Sequence, residues 1–221
     1  MSDWQKWFEE VWEYREETVY PRLFGPSGRG IFTLSPSIFA DVFKQEFDPR
    51  WLHFGVMEFP PTKERDSWLY VTSGMSNAWE DDKPNPDGPS GFGCEVVFET
   101  VEQKEWAILR LQYLMAFQIL LFHGRYPERE PLSPYDRIPL RNPIAAEPSD
   151  ICWLILAPPE TYATRFELAS GWVNLFAVFG ATEEEAALAR EQGGDKLVAI
   201  LKRHEAFPVT DPKRRSVVVD G

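Results

Sequence analysis

The apolar positions at the start of the chain follow the pattern of an amphipathic helix. Five of them recur at helical spacing: Trp4, Trp7, Phe8, Val11 and Trp12. Glutamates occupy the other faces, and Ser2 with Gln5 fits a capping box at the N-terminus. The pattern therefore predicts a first helix, which we expect to be ended by Pro21 and the run Phe24-Gly25-Pro26-Ser27-Gly28, because proline disrupts helical hydrogen bonding and glycine favours turns.

Helical patterns recur in three later segments, which are residues 37–47, 103–122 and 182–191. The longest of them is apolar on most faces and is followed by Gly124, so we expect a buried helix rather than a membrane span. Thr182 and Glu185 form a second capping box. Asp195 is expected to cap a last helix after a pair of glycines.

Strand patterns occur between these helices, over residues 52–59, 67–72, 94–101, 151–157 and 172–179. Residues 73–93 are rich in Gly, Pro, Asn and Asp, which predicts a long loop. The helices and strands do not follow a strict βαβ rhythm. The sequence therefore predicts an α+β fold, with a mixed, largely antiparallel β-sheet packed with helices in a single domain.

The expected organisation has three parts. Residues 1–50 form an N-terminal helical segment packed on the domain, residues 51–206 form the domain itself, and residues 207–221 form a C-terminal tail. The tail is charged, and charged termini are often poorly ordered.

The charge balance is strongly acidic, with 35 Asp and Glu against 23 Lys and Arg and a formal net charge of −12. An acidic surface repels phosphate backbones and anionic lipids, so we expect neither a nucleic-acid nor a membrane partner. The first residues lack the basic start and apolar run of a signal peptide, so a cytoplasmic location is expected. Cys94 and Cys152 are then reduced thiols.

Motifs for enzymatic chemistry, cofactors and metals do not occur at recognisable spacing in the sequence. The three histidines are far apart: His53 is expected to be a partly buried, satisfied side chain, and His123 and His204 to lie at helix ends. We therefore expect a non-enzymatic protein without cofactor or metal. Folding could still bring His53 or His123 against a carboxylate, which leaves a hydrolase as a less favoured alternative.

The segment from Tyr70 to Thr100 is the most informative. A strand runs into Gly74-Met75-Ser76, a polar loop follows, and Asp87-Gly88-Pro89-Ser90-Gly91-Phe92-Gly93-Cys94-Glu95 leads into Val96-Val97-Phe98. Glycines at this density indicate unusual backbone angles or the close approach of another segment.

These two blocks resemble the suppressor of fused family. Weaker agreement continues through residues 109–124, Gly171–Phe176 and Gly180–Glu185, so that the similarity covers residues 51–201. The resemblance implies a mixed α/β fold without a known active site. The animal member binds a short peptide of a transcription factor as an added strand, in a cleft between two domains, and this chain is expected to be too short for the second domain.

The resemblance also implies the binding residues. The peptide-contact positions of the family match Trp79, which replaces a tyrosine, and Asp87. Each has a structural alternative: Trp79 as a core residue that holds the loop, and Asp87 as the acceptor of an Asx-turn before Gly88. Bacterial relatives are thought to be immunity proteins that neutralise toxins, and an acidic protein associates quickly with a basic toxin. The alternative explanation of the acidic charge is that it only keeps the domain soluble. A regulatory adaptor that binds an extended peptide by strand addition is the alternative function.

Overall fold

The protein folds as one mixed sheet with helices on both faces. The structure is a computed structural model that describes residues 3–78, 85–146 and 148–218. The helices are α1 (Asp3–Tyr14), α2 (Tyr20–Phe24), α3 (Glu105–Phe122), α4 (Glu183–Gln192) and α5 (Gly194–Arg203). Shorter helical turns cover Arg15–Val19 and Ile38–Phe43, which are π-helical, and Pro49–His53, which is 3-10.

Among the described residues, nine strands are hydrogen-bonded into the sheet. They are β1 (Ile31–Thr33), β2 (Gly55–Phe59), β3 (Trp68–Ser73), β4 (Pro89–Thr100), β5 (Arg137–Pro139), β6 (Trp153–Ala157), β7 (Arg165–Leu168), β8 (Gly171–Ala181) and β9 (Val209–Thr210). The order is β1-β2-β3-β4-β8-β6-β5, with β7 also paired to β8 and β9 to β4. β4 is parallel to β8 and β9, and the other pairs are antiparallel. The expected α+β fold with a largely antiparallel sheet is confirmed.

Each face of the sheet has its own hydrophobic core. Alternation along β4 sends Val96 and Phe98 to the face covered by α3 and Val97 to the opposite face. The opposite face is covered by the segment 19–24 and by α4 and α5. By length and composition α3 could cross a membrane, but 61% of it is buried within the protein. It is the core helix that the sequence predicts.

The first helix does not stop at Pro21. A π-helical turn follows α1, and the helix then restarts as α2 with Pro21 in its first turn. An N–H in the first turn has no intrahelical partner, so the proline removes nothing that the new helix needs. Pro21 therefore does not end the helical segment, which ends at Phe24, where the run expected to end it begins.

Other boundaries also differ from the predicted ones. The helix expected over residues 37–47 is only a π-helical turn, and Leu52 belongs to a 3-10 turn rather than a strand. β4 begins at Pro89, inside the predicted loop. The capping box of Thr182 and Glu185 is confirmed. The last helix is capped by Gly193, and Asp195 lies in its first turn.

The charged segment after Pro208 is packed on the domain. Val209 and Thr210 pair with the end of β4. Arg214 donates two hydrogen bonds to the buried carboxylate of Glu185, at 2.6 and 2.7 Å, and a third to Gly180 O at 2.7 Å. A bidentate pair at a buried carboxylate holds this segment in place, in contrast to the poor order expected of a charged terminus.

Candidate functional site

The β3–β4 loop, residues 74–88, begins at a turn organised by a buried carboxylate. Glu95 Oε1 accepts hydrogen bonds from Gly74 N at 3.1 Å, Ser76 N at 2.9 Å and Ser76 Oγ at 2.7 Å. Glu95 Oε2 accepts one from Thr72 Oγ1 at 2.6 Å. Glu95 is fully buried, and this burial raises its pKa, against the opposing effects of the Arg15 cation and the Thr72 and Ser76 donors. The carboxylate therefore fixes the turn through its main chain.

The turn is also held by Arg15, in the π-helical turn after α1. Arg15 is 1% exposed. Its guanidinium donates to Ser76 Oγ at 2.9 Å, Asn77 Oδ1 at 2.6 Å and Ser73 Oγ at 2.8 Å. Because Ser76 accepts from Arg15 and donates to Glu95, the two opposite charges are linked through one hydroxyl.

The first residues of β4, directly after the loop, return to the same turn. Ser90 Oγ donates to Ser76 O at 2.7 Å, and Phe92 N donates to Met75 O at 2.7 Å. Gly91 has a φ of +54°, and a Cβ there would lie 2.3 Å from Asn77 O and 2.8 Å from Met75 O. Only glycine permits both the backbone angle and the approach. The two stems of the loop, which are residues 74–77 and 90–92, are thus fixed against each other.

Asp87 lies in the tight turn that precedes β4 and is exposed to solvent. Gly88 N bonds Asn85 O at 3.0 Å, and Trp172 N bonds Gly88 O at 2.9 Å, so β8 anchors the turn. The Asp87 carboxylate makes no hydrogen bond or ion pair with the described residues, so the Asx-turn that was the structural alternative for Asp87 is not seen among them. Trp79 lies outside the described residues.

Trp172 and Arg165 lie beside the anchored turn and were not singled out from the sequence. The Arg165 guanidinium lies 4.4 Å from the centre of the Trp172 ring, and its Nε donates to Asn174 Oδ1 at 3.0 Å. A Cβ on Gly93 would come within 3.0 Å of the Trp172 ring. These side chains meet because β7 pairs with β8, which sets Arg165 opposite Asn174 on the same face of the sheet as Trp172. The alternation along β8 predicts only that Trp172 and Asn174 share a face, and it gives no information about Arg165.

Aromatic side chains extend the site towards the end of α3. Phe92 stacks on Phe122 with ring centres 4.3 Å apart. His123 is the C-cap of α3, as expected, and the centre of its ring lies 6.0 Å from the centre of the Phe92 ring. His53 is exposed rather than partly buried and meets Trp12 edge-on at 6.2 Å. Phe122 is 40% exposed, so an apolar surface adjoins the stems of the loop.

Two further buried carboxylates lie on the sheet away from the loop. Burial raises the pKa of Glu58, but hydrogen bonds from Arg29 and Gln103 outweigh it, and the net effect is a lowered pKa. Glu99 shows the opposite balance, since burial raises its pKa more than its hydrogen bond from Ser67 and the Arg65 cation lower it. The pKa values of these two carboxyl groups are therefore shifted in opposite directions.

Both cysteines are free, and burial raises the pKa of Cys94 to about 12. A thiol with this pKa stays protonated at neutral pH and behaves as an apolar core group. Within residues 3–78, 85–146 and 148–218, no three His, Cys, Asp or Glu side chains are grouped so as to hold a metal ion.

Comparison with protein families decides the classification. The family model described as "Suppressor of fused protein (SUFU)" matches residues 50–215, which include both stems of the loop, Asp87 and the segment that carries Arg214. The chain belongs to the SUFU family. Among curated proteins nothing matches. The expectation drawn from the Gly74 and Asp87 segments is confirmed.

Solved structures of SUFU proteins share the fold. A Neisseria gonorrhoeae SUFU homologue has a TM-score of 0.61 at 14% identity, over 99% of each chain. A Sufu–Fu complex has a TM-score of 0.65 at 16% identity and covers 96% of this chain and 92% of that chain. Drosophila Suppressor of Fused has a TM-score of 0.58 at 17% identity and covers 74% of this chain. This chain spans 42% of the length of the Drosophila protein.

Proposed function

We propose that this SUFU-family chain is a non-enzymatic protein-binding domain of the cytoplasm that recognises its partner with the β3–β4 loop. The observation that carries the proposal is the geometry of the loop. Asp87 is an exposed carboxylate without a partner among the described residues, on a turn fixed by β8. A rigid, unpaired charge loses little entropy on binding and can form charge-assisted hydrogen bonds. A SUFU protein has been crystallised in complex with Fu, which supports a protein partner.

We further propose that the partner is a basic toxin and that the chain is its immunity protein. The net charge of −12 supports this, since an acidic surface attracts a basic protein and speeds association. Trp172, half-buried under Arg165, adds residue types that dominate the binding energy of many interfaces. Trp79 belongs to the same proposed surface as the aromatic anchor.

The proposal is tested by co-purification from the native cell with the wild-type chain, Asp87→Lys and Glu191→Lys. Glu191 is exposed near the end of α4, so its variant makes the same charge change away from the loop. We expect Asp87→Lys to lose the partner and Glu191→Lys to retain it, with unchanged circular dichroism in both. Retention by folded Asp87→Lys would contradict the site. A captured partner that is not toxic when produced alone would contradict the immunity role.

A regulatory adaptor that binds an extended peptide by strand addition is the second candidate, and the edges of the sheet favour one location for it. Gln112 Nε2 already donates to Thr33 O of β1 at 2.9 Å, and Pro139 of β5 has no N–H to offer. Leu175 N bonds Thr164 O at 2.9 Å, so alternate residues of β7 bond to β8. The main-chain groups of Arg165 and Glu167 therefore point outward, without a backbone partner among the described residues.

Proline at position 167 tests this adaptor function, because it removes an outward donor without removing a bond to β8. If strand addition is the binding mode, Glu167→Pro loses the partner, Arg137→Pro on the β5 edge retains it, and a short peptide of the partner binds as tightly as the whole protein. Equal capture by both proline variants would exclude the β7 edge.

A further inference from the structure

The N-terminal segment reaches into the β3–β4 loop although it lies outside the residues 50–215 that match the family. After α1 the helix widens into the π-helical turn Arg15–Val19, which buries both of its end residues. Tyr20 Oη bonds Thr72 O at 2.8 Å and fixes this turn to the end of β3. Single π-helical turns within helices are frequent at functional sites. Here the turn directs a buried cation to the start of the loop.

Arg15 is a hydrogen-bond donor to three side-chain oxygens of the turn at the start of the loop. The oxygens of Ser73, Ser76 and Asn77 each accept one of its N–H groups within 2.9 Å. Glu16 Oε1 accepts another at 3.2 Å and also accepts from Ser73. Without the guanidinium these buried acceptors would lose their donor, and the buried charge of Glu95 would lose its compensating cation.

The contact continues to the end of the loop that carries Asp87. Ser76, held by Arg15, presents its carbonyl to Ser90 Oγ, and Ser90 Oγ lies 2.5 Å from Ser170 Oγ in the hairpin between β7 and β8. The N-terminal segment is thus linked through one turn to both stems of the loop.

We propose that Arg15 is a positioning residue for the binding loop: it holds the turn Ser73–Asn77, and through it the first residues of β4, in the conformation that meets the partner. The proposal rests on the proposed function of the loop. With this role for Arg15, the N-terminal segment contributes to the binding site and not only to the burial of the hydrophobic core.

Hydrogen exchange followed by mass spectrometry tests the proposal with Arg15→Met, and Arg65→Met serves as the matched control. Arg65 is also buried, but it donates to the carbonyls of Phe24, Pro60 and Ser67, at the other end of β3. We expect Arg15→Met to speed exchange at least tenfold in residues 74–78 and 90–93 and to leave β6 unchanged. Arg65→Met should speed exchange around residues 59–67 only. The same pattern in both variants, or no change at the loop stems, would overturn the proposal.

Arg15→Lys covers the case in which Arg15→Met does not fold. Lysine keeps the charge but lacks the planar fork that serves Ser73 and Asn77 together. Exchange should then rise at least threefold at the loop stems alone, and a uniform rise through the sheet would overturn the inference.

Partner capture separates this inference from the function on which it rests. If Asp87→Lys retains the partner while Arg15→Met loosens the stems, the proposed function fails and the positioning contact stands. If Asp87→Lys loses the partner while folded Arg15→Met exchanges like the wild type, only the positioning role fails.

Discussion

Gly91→Ala is expected to damage the loop stem far more than an alanine at another left-handed glycine. The matched control is Gly124→Ala after α3, where φ is +64° and a Cβ would meet nothing within 4 Å. The left-handed backbone costs a non-glycine residue about 1–2 kcal/mol, and a smaller unfolded-state gain of about 0.4–1 kcal/mol offsets part of it. Gly124→Ala should therefore lower the free energy of unfolding by roughly 1 kcal/mol.

Gly91→Ala carries the same cost and a steric one. Its Cβ would lie 2.3 Å from Asn77 O and 2.8 Å from Met75 O, and both are backbone atoms that a side-chain rotation cannot move. The stems must separate, which breaks the bond from Phe92 N to Met75 O and leaves buried groups unpaired. Unpaired buried groups cost about 1–3 kcal/mol each, so we expect an additional loss of about 2–4 kcal/mol relative to Gly124→Ala.

The assay is equilibrium urea unfolding of the wild type and both variants, followed by tryptophan fluorescence and circular dichroism. The difference between the two alanine variants isolates the steric cost, since both pay for the backbone angle. Equal losses in the two variants would refute the close approach of the two loop stems, and with it the account of why a glycine stands at position 91.

Four other predictions concern the buried charges and the capping box. Arg214→Met should lower the free energy of unfolding by about 3–5 kcal/mol, because it leaves the buried Glu185 without its ion pair. Arg215→Met removes only an exposed pair with Asp150 and should lower it by less than about 1 kcal/mol. Equal losses in urea unfolding would contradict the packing of the C-terminal segment. Glu58, with its lowered pKa, contributes stability above the unfolded pKa of about 4.3 that is lost as the pH falls, so the advantage of the wild type over Glu58→Gln should shrink on acidification. Glu99, with its raised pKa, binds its proton more tightly in the folded state, so Glu99→Gln should gain stability over the wild type as the pH rises above about 4.3. If the difference in stability from the wild type changes with pH in the same direction for Glu58→Gln and Glu99→Gln, the opposite pKa shifts of the two carboxyl groups are contradicted. Thr182→Ala should lower the free energy of unfolding by about 1 kcal/mol through loss of the cap, and an unchanged urea midpoint would contradict it.

Local rules predicted the parts of the fold that depend on local contacts. The capping box of Thr182 and Glu185 forms because its two hydrogen bonds join neighbours in sequence. The long apolar segment became α3 because almost every face of it is covered by the sheet and adjoining segments. The alternation in β4 placed Val96 and Phe98 together, since successive strand residues point to opposite faces.

Contacts between distant segments account for what the sequence did not predict. The first helix passes Pro21 because a π-helical turn, stabilised by the burial of Arg15 and Val19 against the sheet, resets the hydrogen bonding first. β1, β5 and β7 are three or four residues long and exist through their partners, so their own patterns are too short to predict a strand.

The candidate site divides in the same way. The resemblance pointed to Asp87, which lies in an exposed turn before β4. Arg15 gave no signal in the sequence, since a single arginine in an acidic amphipathic helix is typical of a solvated face. Trp172 and Arg165 meet only because β7 and β8 form a hairpin, and the pairing of those strands was not predicted.

Photo-crosslinking from position 86 in the native cell tests the central claim most directly. A photoreactive phenylalanine analogue would replace Pro86, the exposed neighbour of Asp87, in one sample and the exposed Glu191 in another, so that the Asp87 carboxylate is kept in both. If the β3–β4 loop is the binding surface, position 86 gives a crosslinked adduct of one defined mass and position 191 gives none. An adduct from position 191 without one from position 86 would contradict the account.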